Sequence, residues 1–468
     1  MSKLRRIAAL GLTAVLLGGC VPQKVAAPEK AEETKAEEAK TEESQAKNEG
    51  KNEGTNETAA EAETAAETAA AIATEITGPV EITIWHQYSD QYEVWFQKVA
   101  DEFHAKNPDI TVKLQYQPAD QYEAKVMAAA KADDLPSMVH SAAANMTSYI
   151  NEGALVNMDD YIYDSTVGYE NFDEDINSGL NQMYVPWGNK RYAMPLFLGG
   201  NVFFYNKTMF EELGIEPPKT WSEVEAVATA VSDKIGKPGF GFQIMVDGYM
   251  EVLTQAGGEV IDLENKTIGF DSETAREKIT WYKDLIDKKV ARLVGDDKHF
   301  TNPFANGDVG CYVALSGNYG YLATAVGDKF ELGAAPLPQE GPKKFVSLSE
   351  PVFAIAKTNP EEELASWMFL KYLLSPEVNA ECGTVFGALP ASTAAMNESV
   401  YQDFLKVNPV AAAVYEQRDS YGYMPTIAGW YELRTSLDKA LEEIMLDISD
   451  MDTALAEARK SAEAAIRK

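Results

Sequence analysis

The pattern that most restricts this chain begins at Val80. Val80-Glu81-Ile82-Thr83-Ile84-Trp85 alternates apolar and polar residues as a half-buried strand does, and residues 92–105 then set Val94, Trp95, Phe96, Val99 and Phe103 at helical spacing. Asn107-Pro108-Asp109 ends that helix, and Ile110-Thr111-Val112-Lys113-Leu114 alternates again. Strand, helix and strand in this order predict a right-handed βαβ unit. The alternation recurs, with helices expected over 122–132, 221–233 and 275–288 and strands over 137–140, 193–198 and 202–206. The expected fold class is α/β, and no internal sequence repeat accompanies it.

None of this texture precedes Gly78. Lys3, Arg5 and Arg6 stand before an apolar run over 7–17 that is too short for a stable membrane span, and Leu17-Gly18-Gly19-Cys20 follows. That stretch resembles a bacterial lipobox. The resemblance implies a signal peptide over 1–19 and acylation of Cys20, and two or more acyl chains suffice for stable anchoring. Residues 20–78 are rich in Ala, Glu, Lys, Thr, Asn and Gly and contain no aromatic residue. With nothing to bury, they are expected to form a disordered acidic stalk. Lipid-anchored at Cys20, the folded part is expected at the outer face of the bacterial cytoplasmic membrane.

Charge and composition exclude several chemistries. The 468 residues carry a net charge of −32, most of it past residue 78, which argues against nucleic acid and anionic membrane surfaces as partners. Three cysteines (Cys20, Cys311, Cys382) and four histidines (His86, His104, His140, His299) are too few and too scattered for a metal cage. Neither a phosphate-cradling Gly-x-x-x-x-Gly-Lys-Ser/Thr loop nor a Gly-x-Ser-x-Gly elbow is present. No cofactor or metal is expected and no catalytic residue stands out. A lipid-anchored glycoside hydrolase stays open as an alternative, because a carboxylate pair is easily supplied by so acidic a chain.

Past Gly78 the order of motifs resembles the extracellular solute-binding proteins of family 1, the maltose-binding and glycerol-phosphate-binding group that feeds ATP-driven importers. Ile82-Thr83-Ile84-Trp85-His86, with a helix ending in Phe103-His104-Ala105-Lys106-Asn107-Pro108, is similar to the family's first βα unit. Tyr122-Glu123-Ala124-Lys125 with Asp134-Leu135-Pro136-Ser137-Met138-Val139 resembles the next, departing at Ser137 from the usual Pro-Asp-Val. Most specific are Tyr192-Ala193-Met194-Pro195, Phe204-Tyr205-Asn206-Lys207-Thr208-Met209-Phe210 and Pro217-Pro218-Lys219-Thr220-Trp221. Pro425-Thr426-Ile427-Ala428-Gly429-Trp430-Tyr431 resembles the C-terminal signature of the maltose-binding branch.

The resemblance implies a periplasmic-binding-protein fold: two lobes joined by a hinge, with ligand held in the cleft between them. Lobe one is expected at 79–197 and 345–400, lobe two at 198–344 and 401–468, with crossings near Leu198, Lys344 and Val400. It further implies ligand-binding roles for Trp430 and Tyr319 as aromatic faces, for His86, Tyr88 and Asp90 in the loop after the first strand, and for Asn145. Arg434, four residues after Trp430, projects from the same helix face. Gly199 stands where the maltose branch has a cleft carboxylate, Ala142-Ala143-Ala144 replaces charged contacts, and Asp247 and Tyr249 are the polar candidates within 243–258. Core packing for Trp430, loop packing for Tyr319 and a plain salt bridge for Arg434 stay open at this point. The implied function is the substrate-binding lipoprotein of an ABC importer that delivers a small solute, most often a mono- or oligosaccharide, to membrane permease subunits. A sensor ectodomain using the same fold is the other alternative. Maltodextrin itself fits poorly, given the substitutions in the cleft.

Overall fold

The computed structural model describes residues 72–466, apart from Asn177, Glu264, Ser349 and Glu350. The signal, Cys20 and almost all of the stalk lie outside the described residues. Two five-stranded sheets organise the rest.

In the first sheet, Val80–His86 pairs in parallel with Ile110–Tyr116, placing Val80 opposite Ile110 and His86 opposite Tyr116. Met138–Ser141 joins in parallel on the other side, and Val352–Ile355 and Met194–Pro195 complete the sheet in antiparallel. Helix Asp90–Lys106 bridges the first two strands, as the alternation predicts. Its Trp95, Phe96, Val99 and Phe103 are buried, whereas Val94 is 71% exposed and faces away. Phe96 stacks on Phe353 of the antiparallel strand, and Phe103 meets Phe369 edge-on. The second pair joins helix Pro360–Leu373, started by the Asn359 cap and Pro360, to the first helix, and both pack on the same sheet.

The second sheet has the order Ala291–Leu293, Phe240–Phe242, Cys311–Leu315, Asn201–Asn206, Leu332–Pro336. Its first three strands are parallel, and Asn201–Asn206 runs antiparallel to both neighbours. Helix Trp221–Ile235 starts at a complete capping box between Thr220 and Glu223. Helices Met245–Gln255, Glu273–Asp287 and Trp430–Met445 pack on one another at the flank of this lobe. All the helices expected from periodicity are present, with ends shifted by three residues or fewer.

The expected single strand over 193–198 is two short strands. Met194–Pro195 belongs to the first sheet, and Phe197–Leu198 turns away to pair with Leu389–Pro390. The chain then runs through Gly199 and Gly200 into the second sheet. Another passage is made by Val346–Ser347, which pairs in parallel with Tyr421–Gly422 and with neither large sheet. Gly200 is pressed onto this small ladder so closely that a Cβ there would lie 2.6 Å from the Ser347 carbonyl oxygen and 2.8 Å from Val346 Cγ1. Only glycine fits that approach. Among the described residues no helix is long and apolar enough to cross a membrane.

Candidate functional site

Between the two lobes lies a cavity of about 350 Å³. Residues 142–145 of the first lobe, Asn201, Asp247, Met250 and Leu315 of the second, and Ser347, Tyr423 and Thr426 of the passages line it, together with Trp430, Tyr431 and Arg434. A wider groove of about 890 Å³ adjoins it, sharing Ala144, Asn145, Trp430 and Tyr431 and adding Glu123, Ser148 and Glu432. A larger groove of about 1040 Å³, around Tyr163, Tyr169 and Lys371, is lined from the first lobe alone. Its Tyr169 and Lys371 are already satisfied by Asp175 and by backbone carbonyls, so the interlobe cavity is the better candidate.

Two helices begin at the cavity without a side-chain cap. Helix Ala143–Asn151 follows Ala142, and helix Trp430–Met445 follows Gly429. The first-turn N–H groups of a helix lack the partners its interior ones have; although the N–H groups of Asn145 and Trp430 bond to the carbonyls of Ala142 and Ile427, both ends still present donors and partial positive charge at the cavity. Gly429 holds φ at +78°, and a Cβ there would meet the Ala465 carbonyl oxygen at 2.6 Å. The start of the second helix is thus set by the end of helix Met451–Ile466. Thr426 ties the approach to the first lobe, donating to the Met183 carbonyl at 3.0 Å and accepting through its own carbonyl from Thr147.

The charged part of the wall is a fork. Arg434 Nε and Nη2 donate to the two oxygens of Asp247 at 2.8 and 2.9 Å. Burial works against the charge on Arg434, but the bonds and charge of Asp247 outweigh it and hold the guanidinium above its ordinary range. Asp438 sits beside the pair; burial and the charge of Asp247 raise its pKa against the pull of Arg434. On the opposite wall Asn145 Nδ2 donates to Ser141 Oγ at 3.0 Å, and Ser141 donates to Glu123 at 2.6 Å. Tyr149 donates to the other oxygen of Glu123, also at 2.6 Å, so this carboxylate is rigidly aimed.

Of the residues singled out in the sequence, the cavity brings together Asn145, Asp247, Trp430 and Arg434. The others lie elsewhere. Tyr249 is fully buried behind the wall, its hydroxyl donating to the Phe270 carbonyl at 3.0 Å. It lies two positions from Asp247 on a helix, so the two side chains leave on different faces. His86 is buried at the end of its strand between Tyr88 and Phe96. Tyr88 leans 4.7 Å, centroid to centroid, over His140. Tyr319 starts helix Tyr319–Val326 away from the cavity wall, and Gly199 serves the passage between sheets. The backbone of Asp90 opens the first helix.

Trp430 is 8% exposed, so most of its indole is already covered by protein, while Tyr431 beside it is 68% exposed and borders both chambers. The aromatic face the cavity leaves exposed is therefore that of Tyr431. Sequence reasoning passed over it because it falls off the apolar stripe of its helix; an exposed aromatic next to a glycine-capped helix start was the available signal. Glu123, Asn201 and Ser347 also line the chambers, and none belongs to a local sequence pattern that points to a cleft.

Comparison with known proteins places these features in context. A family model described as bacterial extracellular solute-binding protein matches residues 98–408. A binding protein of Brucella abortus (strain 2308) is 24% identical over 406 residues, covering 84% of this chain and 94% of that one. The cyclic alpha-maltosyl-1,6-maltose binding protein from Arthrobacter globiformis shares the fold at a TM-score of 0.72 and 23% identity, covering 83% of this chain and 99% of its own. UgpB from Mycobacterium tuberculosis, solved in complex with glycerophosphocholine, shares it at 0.72 and 22% identity, with 83% and 98% covered.

Proposed function

This chain belongs to the bacterial extracellular solute-binding protein family, and from that premise we propose that it captures a neutral carbohydrate in the interlobe cavity and hands it to the permease of an ABC importer. It binds and releases its solute unchanged, as a binding protein of this family and not as a hydrolase. The observation that carries the ligand class is the Arg434–Asp247 fork. Arg434 is the one cation among the described residues lining either chamber, and both oxygens of Asp247 already occupy it. With Asp438, Glu123 and Glu432 nearby, a phosphate would meet no free positive charge and several negative ones. Sugar hydroxyls suit the wall: they donate to the carboxylates and accept from the two uncapped helix starts and from Asn145.

The lobes are proposed to divide at about 79–197 and 345–400 for the first, and 198–344 and 401–468 for the second. Helix Ser399–Val407, at the proposed last passage, packs on helix Pro376–Phe386. The Cys20 lipobox supports a lipid tether that holds this extracellular protein at the outer face of the membrane.

A thermal-shift screen over mono- and oligosaccharides, polyols, glycerol 3-phosphate and glycerophosphocholine tests the reading, because a ligand of the native state raises the melting temperature by mass action. A neutral sugar is expected to shift the transition at micromolar concentration. Stabilisation by the phosphate compounds alone would overturn the neutral class.

A further inference from the structure

Behind the cavity wall lies a carboxyl group with no access to water. Glu251, on helix Met245–Gln255, is 0% exposed. Its Oε1 accepts the Ser347 backbone N–H at 2.9 Å, and its Oε2 lies 2.9 Å from the side-chain amide of Asn201. Asn201 is where one passage enters the second sheet, Ser347 lies on another passage between the sheets, and both line the cavity. Gln417 extends the knot, donating to the Asn201 carbonyl at 3.0 Å and to the Tyr421 hydroxyl at 2.9 Å, while accepting the Leu337 N–H.

We propose that Glu251 is a positioning residue of the hinge, held as a neutral acid that ties the two passages into one unit and orients Asn201 and Ser347 toward the solute. Resting on the interlobe cavity being the solute site, this assigns a proton to the site's support. Burial and the nearest charge favour the neutral form. Asp247, one turn away on the same helix, is negative and its partner Arg434 is spent on it. From helix Glu273–Asp287 the facing group is Tyr282, whose own pKa burial keeps well above the usual value, while Asp438 on helix Trp430–Met445 lies beside Asp247 and Arg434. Burial, with the charge of Asp247, pushes Glu251 up to about 8 against its hydrogen bonds to Asn201 and Ser347. Protonated, Oε2–H donates to the amide oxygen of Asn201 and leaves that residue's NH₂ for the cleft; ionised, Oε2 takes the NH₂ instead.

The sign follows from linkage. The native state keeps a proton that the unfolded chain gives up above the ordinary carboxylate range, near 4.5, so this contribution to stability is full below that pH and is lost by about pH 8.

The experiment compares wild type with Glu251→Gln and Glu251→Leu in the absence of any solute, so it stands or falls apart from the sugar reading. Melting temperature and the hydrogen-exchange protection of the Ser347 amide are followed from pH 5 to pH 9. Gln reproduces the neutral acid, so its melting temperature is expected to rise relative to wild type by roughly 1 to 2 °C per pH unit up to about pH 8 and then level off. Ser347 protection is expected to persist in wild type and in Gln across this range and to be at least about tenfold lower in Leu at every pH, since losing a hydrogen bond of about 1.4 kcal/mol corresponds to tenfold in the opening equilibrium. Parallel pH profiles for wild type and Gln would overturn the proposal, and so would full Ser347 protection in Leu. Should the Leu variant fail to fold, the comparison of Gln with wild type still decides.

Discussion

At the scale of single residues, the two neighbours Trp430 and Tyr431 divide labour that the sequence pattern assigns to one. Trp430→Ala is expected to cost about 3 kcal/mol of stability, because truncating a buried tryptophan leaves a cavity that the surroundings fill only in part. Tyr431→Ala removes a largely exposed ring. Covering roughly 60 Å² of that ring with a sugar is worth about 1.5 kcal/mol, so the variant should bind about tenfold more weakly with a near-native midpoint. Calorimetric titration and thermal melts on both variants check this division. Asp247→Asn is expected to release the Arg434 guanidinium and improve the affinity for glycerol 3-phosphate at least about tenfold while weakening sugar binding, since charge-assisted hydrogen bonds contribute more than about 1.4 kcal/mol. Unchanged discrimination between the two ligands would remove the fork from the basis of selectivity. The periodicity of helix Trp430–Met445 made Trp430 and Arg434 readable as neighbours on one face; that Asp247 would meet Arg434 was not readable, because their pairing spans 187 residues and depends on how two helices cross.

At the scale of elements, the parallel strands Val80–His86 and Met138–Ser141 carry His86 and His140 into the core of the first lobe. Burial lowers the pKa of His86, and burial together with the His86 charge lowers that of His140 to about 3; His140 Nε2 accepts the Gln87 N–H at 2.9 Å. Both folded values lie below the ordinary 6.5, so the unfolded chain takes up protons first as pH falls. Stability from these groups is therefore complete above pH 6.5 and declines in acid, by as much as about 1.4 kcal/mol per pH unit for each imidazole. Urea midpoints between pH 7 and pH 4 should fall more steeply for wild type than for His140→Gln, whose deficit at neutral pH narrows as acid is added. Element placement was largely legible, since alternation and helical spacing are local properties. The break of the expected strand over 193–198 was not legible, because Leu196 lies between pairings with two different partners, and only the passage of the chain between sheets forces the break.

At the scale of the whole molecule, sheets built from distant stretches of chain are joined by few connections, and a solute that touches both walls favours the state in which they approach. The population shifts toward that state by the difference in affinity between the two. Small-angle scattering on a chain starting at Gly78 should show a smaller radius of gyration when a solute identified by thermal shift is saturating. An unchanged curve would point to a rigid pocket. The two-lobe architecture was readable through the ordered series of motifs, each weak alone. The cavity's composition was not, because residues 142–145, 201, 247, 347 and 430–434 come together only after both lobes and their passages are in place.

The contact between Gly429 and Ala465 also has a temporal side. A ribosome reaches residue 465 only after every other contributor to the cavity has been made, and the start of helix Trp430–Met445 is held in place by that late segment. Until then the start of that helix, which already packs on helices Met245–Gln255 and Glu273–Asp287, lacks the backbone contact that fixes its first turn. A chain made in order from its N-terminus therefore completes this wall only once residue 465 has been added and packed against Gly429.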